Sequence, residues 1–251
     1  HPELLDWLAL EFVESGWNTK ALLRTIATSA TYRQSSRLAP EAWQRDPENR
    51  LLARGPRQRL SAETIRDQAL AASGLLVEEV GGPSVKPYQP PGLWQELTGT
   101  EDYVPDRGAK LYRRSLYTFW KRTSHPPSMA LFDAPSREAC MVRRSRTNTP
   151  LQALALMNDK QYVEAARHFA QRILREGGAT DESRLEWAFR SVTARRAGPA
   201  ERTILLDLLQ RQRAEFAADP AAASAFIDSA TTLLKPNHLE RDRAGDPELA
   251  A

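Results

Sequence analysis

The chain has 251 residues, 41% of them hydrophobic and 27% charged, enough for one large globular domain or two small ones with a buried core, so disorder is the wrong default. No run approaches the roughly 18 to 20 consecutive apolar residues that span a bilayer, so no membrane span is expected. One cysteine, Cys140, and four histidines leave no internal disulfide and no multi-cysteine metal site. Lysine and arginine exceed aspartate and glutamate by 35 to 32, too even a balance to argue for nucleic acid.

Helical patterns dominate the first 80 residues. Residues 2 to 15 place Leu4, Leu5, Leu8, Phe12 and Val13 on one stripe that closes at Gly16; Asn18 then caps a second helix carrying Leu22, Leu23, Ile26 and Ala30. After a connection containing Pro40 and Pro47, Ser61 caps a helix whose Ile65, Ala69, Ala72 and Leu76 share a face. Gly81-Gly82-Pro83 ends it.

Residues 81 to 148 behave differently. Four prolines lie within GGPSVKPYQPPGLW, where fixed backbone angles and missing N–H donors exclude regular helix. A short strand is expected in the aromatic segment LYRRSLYTFWKR at 111 to 122, paired with MALFD at 129 to 133, with helix as the alternative for the first. Trp94, Tyr117, Phe119 and Phe132 are expected to anchor this irregular stretch to the helices. Long ordered loops of this kind have a binding or covering role, which makes this segment the first place to look for a site.

From Thr149 the chain is helical again. Thr149 caps and Pro150 opens PLQALALMN; Asp159 caps a helix with Tyr162, Ala166, Phe169, Ile173 and Leu174 inward and Gly177 at its end. Further helices are expected at 181 to 195, with Leu185, Ala188, Phe189 and Val192 inward, and at 199 to 217, with Ile204, Leu205, Leu208 and Leu209 inward. A last one runs from Pro220 with Ala225, Phe226 and Leu233. The fold class is therefore mainly α, a single helical domain over 1–251 with helical residues 1–80 and 149–251 flanking a Pro-rich middle. His1 in place of methionine, and a helix start at Asp246-Pro247 that ends almost at once, read as a piece of a longer protein.

The densest chemistry is basic. Arg113 and Arg114, with Lys121 and Arg122 following, and Arg143, Arg144 and Arg146 could grip carboxylate, sulfate or phosphate groups, while Trp94, Tyr112, Tyr117 and Trp120 could stack on a sugar. The competing reading has the arginines pairing internally, and at least two of Arg143, Arg144, Arg146 and Asn148 bridging the irregular segment to the helix at Thr149. Hydrolytic pieces are His125, Ser128, Asp133 and Glu138, without a G-x-S-x-G elbow; Asp102 and Asp106 are further carboxylates. Cys140 reads as a small buried residue, with a thiol activated by Arg137, Arg143 and Arg144 as the alternative, and His168 as a surface or partly buried one.

HPELLDWLALEFVESGWNTKALLRTIATSATYRQSS, DPENRLLARGPRQRLSAETIRDQALAASGLL, GGPSVKPYQPPGLW, YRRSLYTFWKR and RRSRTNTPLQALALMND closely resemble the carboxy-terminal PSD-one domain of planctomycete-type proteins, from residue 1 to about residue 230. The resemblance implies a large exported protein in which this domain follows another of unknown function, often with a c-type cytochrome module. It supplies no catalytic residue. It implies no haem in this chain, and Cys140-Met-Val-Arg-Arg indeed lacks a C-x-x-C-H site. The functions left standing are a structural or docking module for electron transfer or polysaccharide processing, with a cytochrome, an upstream domain or an anionic glycan as partner, or a hydrolase of esters, sulfate or phosphate esters, or glycosides with its site in 81–148.

Overall fold

The computed structural model describes residues 1–37, 39–99 and 103–231, and Leu233 and Asp246 lie outside them. The described residues form eleven α-helices, and their β-structure is confined to three isolated bridges. None of these helices is long and apolar enough to cross a membrane. The chain divides into two compact units, His1–Arg59 and Leu60–Ala251.

The first unit holds α1 (Pro2–Glu14), α2 (Thr19–Thr28) and α3 (Pro40–Arg45). The Asn18 side chain accepts from the Ala21 amide at 3.0 Å to start α2, and α1 packs on α2. Leu8, Phe12, Leu22 and Ile26 are half-buried, whereas Leu4, Leu5, Val13, Leu23 and Ala30 of the expected stripes stay exposed. Two short helices cover only the strip between them. Beyond α3, the Asp46 carboxylate accepts from the Arg50 and Leu51 amides, both at 2.8 Å, and the Arg54 guanidinium donates to the Asp46 and Pro47 carbonyls while lying 4.4 Å over Trp43. The Leu51 amide foremost holds the Asp46 carboxyl below its ordinary range.

The second unit is built on α4 (Ala62–Ser73) and α8 (Lys160–Glu176), which lie side by side. Ser61 caps α4, and Gly74 closes it in the left-handed region at φ 79°. The buried face of α4 is Ala62, Arg66, Leu70 and Ser73, and the expected Ile65, Ala69 and Ala72 stripe is only half-buried. On α8 the buried residues are Tyr162, Glu164, Ala165 and His168, while Ala166 faces solvent. Each helix turns an ionisable side chain, Arg66 or Glu164, inward toward the irregular segment.

That segment is not a hairpin. Residues 129 to 133 begin inside α6 (Pro127–Leu131), where Pro127 at the first helical position carries a preset φ. Residues 108 to 117 form two 3-10 turns, Gly108–Tyr112 and Ser115–Tyr117. Their surroundings pair in parallel with earlier chain, Val77 with Arg113 and Val85 with Thr118. α5 (Leu93–Thr98) also arises within this stretch. One apolar cluster joins Ala62, Met129, Phe132 and Tyr162, and a second joins Leu70, Leu111 and Tyr112, so α4 backs both. Trp94 and Phe132 are buried and Tyr117 and Phe119 half-buried, an anchoring role and not an exposed aromatic row.

α7 (Pro150–Asn158), α9 (Asp181–Thr193) and α11 (Pro220–Thr231) pack on α8, and α10 (Pro199–Ala218) on α9 and α11. Leu205 and Leu209 are half-buried as expected, but Val192, Ile204, Leu208, Ala225 and Phe226 are exposed. On α11 the small Ala223 and the adjacent turn's Ile227 are the buried residues instead.

Candidate functional site

The charged interior of the second unit gathers where α4, α8 and the 108–118 segment meet. Arg66, 3% exposed, points from α4 into that junction. Its guanidinium donates to the Leu111 carbonyl at 2.6 Å, the Arg113 carbonyl at 2.9 Å, Ser115 Oγ at 3.2 Å and Gln161 Oε1 at 2.9 Å. Gln161 in turn donates to the Tyr88 carbonyl at 3.0 Å. The neighbouring Asp67 accepts the Ser115 amide at 2.7 Å. A 3-10 turn leaves carbonyls without helical partners, and one planar fork with five donors can satisfy several at once. Burial lowers the Arg66 pKa, with Asp67 chief among the groups opposing it.

Arg113 repeats the device one layer out. Also 3% exposed, it donates to the Pro83 carbonyl at 3.0 Å, the Glu79 carbonyl at 3.1 Å and the Gly81 carbonyl, and lies 4.0 Å over the Tyr117 ring. Tyr117 Oη accepts the Gly81 amide at 2.8 Å. The Gly-Gly-Pro breaker therefore becomes an ordered loop around one guanidinium.

Glu164 is the third ionisable group here, 1% exposed on the inner face of α8. The Tyr112 hydroxyl donates to its Oε1 at 2.7 Å. Beside them lies a crevice of about 10 Å³, lined by Leu70, Tyr88, Leu111, Tyr112, Gln161 and Glu164, room for about one water. Burial raises the Glu164 carboxyl from 4.5 to about 7, against the opposing pull of the Tyr112 hydrogen bond and the Arg167 charge. Burial and then Glu164 likewise push the Tyr112 phenol above its ordinary value.

Among the described residues, those expected to do hydrolytic chemistry form no hydrogen bond with one another. His125 Nδ1 sits 3.1 Å from the Arg122 carbonyl, and its ring stacks on Trp120 at 6.2 Å. Ser128 is half-buried in α6, and Glu138 is exposed. Asp133 accepts the Thr147 amide at 2.7 Å and the Thr147 hydroxyl at 2.9 Å, closing the 134–146 loop. Asp106 accepts the Lys86 amide at 2.7 Å, and Asp102 lies outside the described residues. Among the described residues no three His, Cys, Asp or Glu side chains are grouped for a metal ion.

The basic and aromatic candidates are divided between interior and surface. Arg113 is interior, while Arg114 is exposed, 3.5 Å from Asp67. Trp94 is buried against Tyr103 at 5.1 Å, with the Lys121 ammonium 4.4 Å from its ring. Trp120 donates to the Ser136 carbonyl at 3.1 Å and carries Arg137 at 4.3 Å over its face. Tyr112 is not available for stacking, since it is buried on Glu164.

Residues 141 to 148 are exposed throughout. Of Arg143, Arg144, Arg146 and Asn148, Arg144 alone makes a side-chain bond among the described residues, to Glu63 on α4 at 2.9 and 3.0 Å. The expected bridge to the helix at Thr149 is made by other residues: Gln152, buried in α7, donates to Thr147 Oγ1 at 3.0 Å and the Leu131 carbonyl at 2.9 Å. Thr149 and Gln152 form a capping box, as Thr149's position suggested. Cys140 is exposed and His168 is buried, both against expectation. Arg66, Gln161 and Glu164 were missed; their one sequence signal is a polar residue on the apolar side of an amphipathic helix, four residues from Ala62 and Leu70 in the case of Arg66.

Residues 1–209 match the family model PSD1, described as Protein of unknown function (DUF1553). No curated protein and no solved structure matches the chain.

Proposed function

Because the chain belongs to the PSD1 family, Protein of unknown function (DUF1553), we propose from its geometry that it is a non-catalytic docking module. The observation that carries this reading is a division of labour among arginines. Arg66 and Arg113 are consumed by backbone carbonyls inside, whereas Arg143 and Arg146 stand exposed without a hydrogen-bonding or ion-pair partner among the described residues. Exposed Met141 and Val142 precede them, and Leu151, Leu154 and Met157 follow on the exposed side of α7 at three-residue spacing. A basic rim beside an apolar helix face suits an acidic, amphipathic protein surface. Its source is another module of the same exported protein, the domain upstream or a c-type cytochrome. The resemblance to exported planctomycete-type proteins supports that placement.

The test combines binding and turnover. Fluorescence anisotropy with a synthetic acidic amphipathic helix should register binding, lost in Arg143→Glu/Arg146→Glu and in Leu154→Asp, with no turnover of chromogenic ester, phosphate-ester, sulfate-ester or glycoside substrates. Binding of a sulfated polysaccharide without binding of the peptide replaces the partner by an anionic glycan. Turnover abolished by His125→Ala or Asp133→Asn replaces the module by a hydrolase.

A further inference from the structure

We propose that Glu164 is a proton-operated latch: its protonated carboxyl lets α8 close against the Gly108–Tyr112 turn, and loss of that proton to solvent loosens the turn and the chain through residue 118. This goes beyond the docking reading and stands without it.

Glu164 is among the largest fully buried side chains of the described residues, yet among those residues it has no ion pair and one hydrogen-bond donor, the Tyr112 hydroxyl at 2.7 Å. A carboxylate stripped of water needs two or three donors or a contacting cation to remain charged. Here Leu70 and Leu111 line the same crevice, which holds about 10 Å³. The neutral acid fits that environment. The anion would need more water than the crevice admits; of its walls, Leu70 lies on α4 and Gln161 on α8, whereas Tyr88 lies on irregular chain and Leu111 and Tyr112 on the 3-10 turn, so the turn that carries the Glu164 partner is the wall the proposal moves.

Tyr88 and Tyr112 line the crevice with it, and Arg167 is the charge that acts on it from α8 itself; Asp159 at the N-cap and His168 stand elsewhere on α8, and the helices packed against α8 carry Arg66 on α4, Glu186 on α9 and Asp228 on α11. Arg167 favours the anion but is outweighed by burial. Arg66 already serves Leu111, Arg113, Ser115 and Gln161. His168, one turn beyond Glu164 and also buried on α8, is the necessary control.

The sign follows from linkage. The native carboxyl keeps its proton to about pH 7 and the unfolded one to about 4.5, so the native state binds the extra proton between those values. The stabilisation is complete below about pH 4.5, is lost as pH rises to about 7, and stays lost above, on the order of a hundredfold in the folding equilibrium.

Amide hydrogen exchange of residues 108–118 and thermal unfolding of the whole chain, followed from pH 5 to 8.5, test the latch. In the wild type, exchange corrected for its intrinsic pH dependence should rise at least tenfold across this range while Tm falls. Glu164→Gln, permanently neutral, should flatten both profiles; Tyr112→Phe should keep them and move the midpoint upward, because a donor favouring the anion is gone. A Glu164→Gln variant with the wild-type profile, or a His168→Gln variant that flattens it, overturns the proposal. If Glu164→Gln does not fold, the carbon-13 carboxyl titration of Glu164 in the wild-type chain decides: a midpoint near 7 supports the latch and one near 4.5 refutes it.

Discussion

The tripeptide Arg-Arg-Ser occurs twice in the Pro-rich middle of the chain, at 113–115 and at 143–145, with opposite outcomes. In the first copy Arg113 and Ser115 are buried, and the backbone between them is held by Arg66 and Asp67 of α4. In the second copy all three residues are exposed, and among the described residues the single side-chain tie is Arg144 to Glu63 on the edge of the same helix. Composition and local chemistry are nearly identical. What differs is the wall each copy meets: the first runs through the interior, where the carbonyls of residues 79–83 and of the segment itself need donors, the second over a surface where water solvates arginine. Arginine-rich strings therefore report a demand for carbonyl partners only where tertiary packing has removed water.

That contrast ranks the substitutions. Arg66→Ala should be the most damaging, about 3 to 5 kcal/mol in urea denaturation, because it strands the Leu111 and Arg113 carbonyls and Gln161 in a dry junction. Arg66→Lys should recover only part of the loss, since a point ammonium cannot span acceptors spread over a fork. Arg113→Ala should follow at about 2 to 3 kcal/mol, with protease sensitivity appearing near Gly81-Gly82 as the loop loses its three carbonyl anchors. Arg172→Ala should cost about 1 kcal/mol, because Arg172 reaches from α8 to the Ala71 and Ala72 carbonyls and caps the C-terminus of α4. Arg144→Ala should fall between 0 and about 1 kcal/mol as an exposed pair. Arg143→Ala and Arg146→Ala should leave Tm within the equivalent of ~0.5 kcal/mol while weakening partner binding. A cost above about 2 kcal/mol at Arg146, or none at Arg66, would break the comparison between the two copies.

Much of the helical framework was legible. Asn18, Ser61, Thr149 and Asp159 cap the helices that follow them, because their side chains answer amides only two or three residues away, and Pro150, Pro199 and Pro220 open helices at positions whose N–H has no helical partner. The candidate site was far less legible. Ordering by carbonyl capture was foreseen for Arg143, Arg144 and Arg146, yet Arg66 and Arg113 perform it. The hairpin expectation failed because residues 111 to 118 find their partners in Val77, Val85, Arg66 and Asp67, up to about 50 residues distant.

The sequence by itself determined the mainly helical class, the ends of the longer helices and the irregularity of the middle, since caps, prolines and glycines act through bonds and angles within a few residues. Tertiary structure alone decided the rest: which helix faces are buried, why Arg66 and Glu164 point inward while Leu151 and Leu154 point out, and which Arg-Arg-Ser is structural. Those outcomes depend on where water is excluded and which backbone carbonyls are left facing that space, and both are properties of segments far apart in the chain.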